Sequence, residues 1–491
     1  MAGGERMRQV TVPDMMQARE ARAQAQRTLA SRYPGATIVC LTMNIAGPVK
    51  TTPEIERAFS WGWDAVRAVS TPRGALFDAQ IHPFTGPEGI LAVRADAREL
   101  KRRLCLLEDG KPIGRLLDVD VIGPDGTKLE RTALGLSARR CLLCGEAAPV
   151  CARSRAHTVD ELFSRAHELI REHFEAEFAR RVGENAQRAL LTEVAVAPKP
   201  GLVDRENAGA HRDMDIFTFI DSACALRGYF EGCARTGLEH RGGDAQACFD
   251  ALRTPGLLAE ADMARATRGV NTHKGAIFSL GVACAALGMG FDGEKSDPIA
   301  ALGRCGEMTA ARMREELTGA ARRLAAIVPG DTDNVQNDML AADDGKDAPG
   351  ATFGERLYAS AGVGGVREEV AGGFKGVSQA ALPRLHRALE AGLSINDAAL
   401  CALVSLMART QDTNAVRRGG EAGARALQEE ARALDIRIGE ALERGLTDEE
   451  KAGTALRAHL RQWDVRLSRA GISPGGCADM LALTLLMAFM E

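Results

Sequence analysis

Near residue 180 the chain changes character, and that switch limits its fold more than any other feature. Before it, aliphatic and β-branched runs at Thr37 to Leu41, Leu91 to Ala95 and Leu116 to Ile122 alternate with turns such as Gly86-Pro87 and Gly123-Pro124-Asp125-Gly126, a strand-and-turn pattern. Between the first two runs, Glu54 to Val69 carries Ile55, Phe59, Trp63 and Val66 at helical spacing, which predicts an amphipathic helix. Beyond the switch strand signals nearly vanish and Ala-rich runs dominate, with helix-opening boxes at Ser394-Ile395-Asn396-Asp397 and Thr447-Asp448-Glu449-Glu450. A third box, Thr158-Val159-Asp160-Glu161, predicts a helix running to about Arg181 that bridges the two parts. The expected fold is therefore multidomain, a mixed α+β domain over residues 1–180 followed by an all-α helical bundle over 181–491. The length of 491 residues agrees, since single cores stop growing beyond roughly 250 to 300 residues. Gly330 to Gly350, with six aspartates, reads as a polar loop.

Charge and hydropathy remove several function classes. Sixty-two basic side chains against 66 acidic ones leave a net charge of −4, so no general attraction to nucleic acid or membrane is expected and any phosphate binding must be local. Met1 to Val10 is polar, and the longest terminal apolar run, Leu481 to Met490, falls far short of the ~20 residues that span a bilayer. A cytoplasmic protein is expected. Its 12 cysteines, scattered along a long chain, suit small core residues in a reducing compartment.

The densest grouping of turn chemistry and ionisable groups is Pro198-Lys199-Pro200-Gly201-Leu202-Val203-Asp204-Arg205, followed by Asn207, Gly209, His211, Asp213, Met214 and Asp215. Pro200 sets φ and Gly201 supplies φ > 0 for a turn. A helix buried on nearly all faces is expected from about Arg212 to Gly237, with Asp215, Thr218, Ser222 and the preceding His211 on one side, lining a pocket. The alternative is that Asp213 caps the helix and the polar stripe satisfies neighbouring backbone.

These residues resemble a known family, the triphosphoribosyl-dephospho-CoA synthases that make the prosthetic-group precursor of citrate lyase. The likeness continues through Gly269-Val270-Asn271-Thr272-His273-Lys274-Gly275-Ala276, Gly354-Glu355-Arg356-Leu357-Tyr358, Asp412-Thr413-Asn414 with Arg417-Arg418-Gly419-Gly420, and Ser473-Pro474-Gly475-Gly476-Cys477-Ala478-Asp479. One departure is Gly365-Val366-Arg367-Glu368-Glu369-Val370, where the family reads Gly-x-Arg-Gly-Glu-Ala; if that second Gly needs φ > 0, Glu368 strains the loop. The first 180 residues resemble a second family, the citrate lyase holo-acyl-carrier-protein synthases, through Thr42-Met43-Asn44-Ile45-Ala46-Gly47-Pro48-Val49-Lys50-Thr51 and through Cys141-Leu142-Leu143-Cys144 with Cys151-Ala152-Arg153-Ser154-Arg155-Ala156-His157. The chain thus looks like a fusion of two consecutive enzymes.

The resemblance implies that the C-terminal half uses ATP and 3′-dephospho-CoA, the ribose 2′-hydroxyl attacking C1′ of ATP and expelling adenine. An oxocarbenium-like transition state calls for carboxylates, with Asp213, Asp215, Asp412 and Asp479 as candidates and His273 as a further catalytic one. Mg²⁺ is expected on the triphosphate, with Asp215, Asp412 and Asp479 as its ligands. Lys199, Arg205, Lys274, Arg417 and Arg418 are candidate phosphate cations, and Ser473, Gly475 and Gly476 offer backbone N–H groups at a helix start. The N-terminal half is implied to attach the product to a serine of the apo acyl carrier protein, the γ subunit of citrate lyase, releasing pyrophosphate. Arg153 and Arg155 suit the phosphates, and Asn44 and Lys50 can orient the donor. Cys141, Cys144, Cys151 and His157 can also be read as a zinc site, but the second pair is neither C-x₂-C nor H-x₃₋₅-H and the spacing argues against it. Two alternatives stay open: the same chemistry serving malonate decarboxylase, and an apo-carrier-binding protein with one active half.

Overall fold

The computed structural model describes residues 8–72, 74–310, 312 and 365–491. The Gly354 to Tyr358 motif and the Gly330 to Gly350 segment lie outside the described residues. The chain divides into two compact units, Met1–Glu175 and Ala176–Glu491.

In the first unit four antiparallel strands, β1 (Thr37–Met43), β2 (Phe77–Ile81), β3 (Glu88–Val93) and β4 (Leu117–Ile122), form a sheet of order β2-β3-β1-β4. Val39 sits opposite Leu91 on one side and Val121 on the other. Alternation then sends Val39, Leu41, Leu91, Val93, Val119 and Val121 to one face, against Phe59, Trp63 and Val66 of α2 (Pro53–Ser70) and Leu100 and Leu104 of α3 (Ala97–Gly110). Ile38, Cys40, Ala92 and Ile122 go to the other face with Leu29 of α1 (Val12–Arg32). Two elements escape the sequence expectations. The 21-residue α1 buries only Leu29, so it has no apolar stripe to detect, and β2 is an edge strand with mostly exposed side chains.

The Thr158 box forms, Thr158 N–H donating to Glu161 at 2.7 Å and Glu161 N–H to Thr158 Oγ1 at 3.2 Å. The helix it opens, α5 (Val159–Ala195), runs a further 14 residues past Arg181, and the division between the units falls inside it. Among the described residues after α5 every element is a helix. Most of α7 (Lys274–Met289), of the helix Ile395–Arg409 and of the last helix, Gly475–Met490, is buried. By contrast α6 (Ile216–Glu239) buries Ala223, Leu226 and Phe230 but leaves Phe217 70% exposed, so it is amphipathic rather than apolar all round. It also starts later than expected: Asp215, not Asp213, caps it, in a reciprocal box with Thr218. Glu368 lies in the helix Gly365–Ala371, and its φ is not positive, so the strain anticipated there is absent. No helix among the described residues is long and apolar enough to cross a membrane.

Candidate functional site

The 198–211 segment is wound on two carboxylates. Asp204 accepts from the backbone N–H groups of Lys199 (2.7 Å), Glu206 (2.6 Å) and Asn207 (3.0 Å). Asp464 accepts from Gly201 N–H and from Asn207 Nδ2, both at 2.9 Å. Two cations expected to meet phosphate are committed to this frame. Lys199 is 1% exposed and ion-paired with the equally buried Glu193, and Arg205 donates to the Ala195 carbonyl and to Asn396 Oδ1 (2.8 Å). Glu193 and Asp464 were not nominated by the sequence; an acid on the buried face between Leu190 and Val194 was the available signal for the first.

His211 leaves the α6 stripe and joins the Ser473 motif, its Nε2 lying 3.0 Å from Ser473 Oγ. Arg418 donates to the Ala210 carbonyl at 3.3 Å and reaches His211 Nδ1 at 3.5 Å. Burial and then the Arg418 charge push the imidazole below its usual range, so it is a neutral hydrogen-bonding group. Arg417 is exposed one residue earlier.

At the start of α7, Asp479 packs against backbone. A Cβ added to Gly275 would lie 2.0 Å from Asp479 Oδ2, so only glycine admits the carboxyl here. Burial, then the charges of Glu193 and Asp412, raise Asp479 well above the usual carboxylate range, with the Ala276 N–H opposing. Two residues before Gly275, His273 is buried, its Nδ1 2.7 Å from Ser222 Oγ, while its Nε2 and Thr272 Oγ1 are buried polar atoms with no hydrogen-bond partner. Desolvation, then Lys199, push His273 down to about 3, so this ring is neutral as well. Lys274, more than half exposed, forms an ion pair with Glu260 at 3.1 Å.

The three-carboxylate metal set expected from the sequence is not assembled among the described residues, because two of its members are spent as helix caps. Asp215 is exposed, and its Oδ1 accepts from Thr218 N–H and Oγ1 at 2.9 and 2.8 Å. Hydrogen bonds to Thr218 hold it below the usual carboxylate range. Asp412 is buried and accepts from Asn414 N–H (2.8 Å), Ala415 N–H (3.1 Å) and, from the last helix, Cys477 N–H (2.9 Å). Asp213 is exposed. At the start of that last helix Ser473 and Gly476 are buried, and a Cβ on Gly475 would sit 2.9 Å from Asn414 Nδ2.

In the first unit Asn44 follows β1, is exposed, and donates its backbone N–H to the Leu116 carbonyl at 2.7 Å. Lys50 folds back on its own loop, Nζ donating to the Ile45 carbonyl at 2.5 Å; burial and then Arg19 lower its pKa. Arg153 and Arg155 are exposed around the end of α4 (Ala148–Ser154), with Arg155 in the left-handed region at φ 50°. Contrary to the spacing argument, Cys141, Cys144, Cys151 and His157 converge.

Two family models match in tandem: apo-citrate lyase phosphoribosyl-dephospho-CoA transferase over residues 10–173 and ATP:dephospho-CoA triphosphoribosyl transferase over residues 179–491. The chain is 34% identical to protein CitXG of Haemophilus influenzae, over 97% of this chain and 95% of that protein. It is 31% identical to protein CitXG of Leuconostoc mesenteroides subsp. cremoris, over 99% and 98%. Similarity to the 2-(5''-triphosphoribosyl)-3'-dephosphocoenzyme-A synthase of Haemophilus ducreyi, 36% identical, covers 70% of this chain and 98% of that one. With each motif set inside one unit and both relatives of full length spanning nearly the whole chain, the protein belongs to the CitXG family, in which a phosphoribosyl-dephospho-CoA transferase precedes a triphosphoribosyl transferase.

Proposed function

We propose that this chain is a bifunctional transferase that builds the citrate lyase prosthetic group and attaches it to the apo acyl carrier protein. The observation that carries this is the tandem order of the two matches, each confined to one compact unit. In the second unit, read as a helical bundle throughout, the dephospho-CoA 2′-oxygen forms a bond to C1′ of ATP as the bond from C1′ to adenine breaks. The hydroxyl proton passes to a carboxylate and from it to the departing adenine nitrogen, so that neutral adenine leaves. Asp479 is the best placed acid, because its carboxyl abuts Gly275, just after the motif residues Thr272 and His273 with their unpartnered atoms, rather than being spent on a cap. Asp213 and Asp215 act at the exposed rim, and Asp412 is a positioning residue. Lys274, Arg417, Arg418 and the Ser473, Gly475 and Gly476 backbone bind the triphosphate, and Lys199 and Arg205 shape the loop.

A Mg²⁺ ion would be held mainly by the phosphate oxygens and would neutralise the triphosphate, since the carboxylate set is not assembled among the described residues and Asp479 is kept for the proton. In the first unit the carrier serine oxygen bonds to the phosphorus nearest the ribose, pyrophosphate departs, and Arg153, Arg155, Lys50 and Asn44 hold the donor.

The two activities should separate by mutation. Arg153→Ala with Arg155→Ala should leave adenine release intact and lower carrier attachment by about 10- to 150-fold per lost contact, the equivalent of roughly 1.5 to 3 kcal/mol. Lys274→Ala should do the reverse, and presynthesised triphosphoribosyl-dephospho-CoA should restore attachment in that variant alone. Loss of both activities in both folded variants would mean one composite site.

The units should also separate as fragments, provided the cut respects α5. Phe174 packs in a first-unit cluster, whereas Phe178 belongs to the second-unit core and stacks on Phe291 at 4.3 Å. Residues 176–491 should fold and release adenine. A fragment from Val182 omits Phe178 and should be less stable by about 3 to 5 kcal/mol, the usual cost of a lost core Phe. A folded 176–491 fragment that releases no adenine from ATP and dephospho-CoA would sink the idea of independent units.

A further inference from the structure

The convergence of Cys141, Cys144, Cys151 and His157 in the first unit is unexplained by either reaction. One ligand atom from each lies within 4.8 Å of all the others. The backbone path accounts for what sequence spacing did not disclose. An isolated bridge between Arg140 and Ala147 turns the chain back, with Cys141 N–H donating to the Glu146 carbonyl at 2.6 Å and Gly145 taking φ 75° just after Cys144. The short α4 then presents Cys151, and left-handed Arg155 reverses the chain so that His157 returns to the same place. A spacing rule counts residues and cannot register a reversal of this kind.

Three further observations bear on what fills this place. Cys144 Sγ and Cys151 Sγ are 3.3 Å apart, close to the roughly 3.7 Å that separates two sulfurs of a tetrahedron with metal–sulfur bonds of about 2.3 Å. The Leu143 N–H points at Cys141 Sγ at 3.5 Å, an orientation that stabilises a thiolate. His157 Nε2 is buried with no hydrogen-bond partner, which is costly for an imidazole unless something else takes it. Three thiols and an imidazole form a closed donor set for structural zinc, the soft ligands selecting zinc over magnesium or calcium.

We propose that Cys141, Cys144, Cys151 and His157 bind one zinc ion that fastens the 139–157 segment. Four protein ligands leave no open position for water or substrate, so the ion is structural. Its consequence for the transferase is positional: Arg153 and Arg155 lie between the last two ligands, and the metal holds that basic turn in one conformation. Each cysteine releases its proton as its metal–sulfur bond forms, so binding weakens as pH falls.

The test uses the untagged full-length chain, purified with a reductant and without chelator, with metal measured by mass spectrometry. About one zinc per chain is expected, against about a tenth or less in Cys144→Ser and in His157→Ala, and an unchanged content in Cys224→Ser, an exposed cysteine outside the cluster. Cobalt(II) exchanged into the wild-type chain should show the visible bands of tetrahedral thiolate coordination. Wild-type protein holding about a tenth of an equivalent or less, with no such bands, overturns the site, and this readout needs no variant to fold. So does Cys144→Ser retaining the wild-type zinc content, or a zinc-free protein in which peptide mapping finds Cys144 and Cys151 joined as a disulfide while carrier attachment is undiminished.

Discussion

Asp479→Asn should lower adenine release by about 10²-fold or more while the protein stays folded, the scale typical for losing one acid–base group. The substitution keeps the shape that Gly275 accommodates and removes only the ionisable oxygen. Stability should hold or rise, and the sign follows from linkage. Because the native carboxyl is held well above 3.8, the folded state keeps a proton that the unfolded chain gives up, so the wild-type protein loses stability as pH climbs from about 4 toward the native value. Asparagine abolishes that slope. A variant more stable and much less active is the expected mark of a functional acid; wild-type turnover would remove Asp479 from the site. Carrier attachment from presynthesised donor should be untouched.

Lys199→Met should cost about 3 to 5 kcal/mol, because it leaves the carboxylate of Glu193 buried without its cation. Thermal unfolding should drop by about 6 to 15 °C. Lys199→Met combined with Glu193→Leu should regain most of the loss, since an apolar pair of similar volume replaces both charges. Unfolding and adenine release distinguish this from a phosphate-binding lysine: a single variant as stable as the wild type but inactive would put the ammonium on substrate and not on Glu193.

The contrast between Lys199 as read and as found shows where sequence stops being informative. Elements with a strong period were legible: β1, β3, β4 and α2 follow from alternation and from the spacing of Ile55, Phe59, Trp63 and Val66. Elements without one, α1 and β2, were not, because they bury too little to leave a pattern. Motif chemistry picked out residues that the fold brings into contact in the second unit, His211 with Ser473 and Gly275 with Asp479, but did not disclose those contacts. An aspartate that caps a helix and one packed against a glycine look identical in a sequence; Asp215 and Asp412 differ from Asp479 in burial and in which groups surround them. Lys199 beside Pro200-Gly201 suggested an exposed phosphate cation, and only the fold reveals that α5 supplies Glu193 to it. The Cys and His ligands were visible as residues and hidden as a cluster, since left-handed Arg155 is what closes the gap.

Asp412 has a kinetic consequence. One carboxylate receives N–H groups from the start of the helix Thr413–Arg444 and from the start of Gly475–Met490, so neither end can fray without loosening the other. Their amides at these ends should therefore share an opening event in place of two independent ones, which hydrogen exchange would show as matched protection. A ligand that settles on either helix start therefore slows the breathing of both, and the two stretches of chain, more than sixty residues apart, answer substrate as one body.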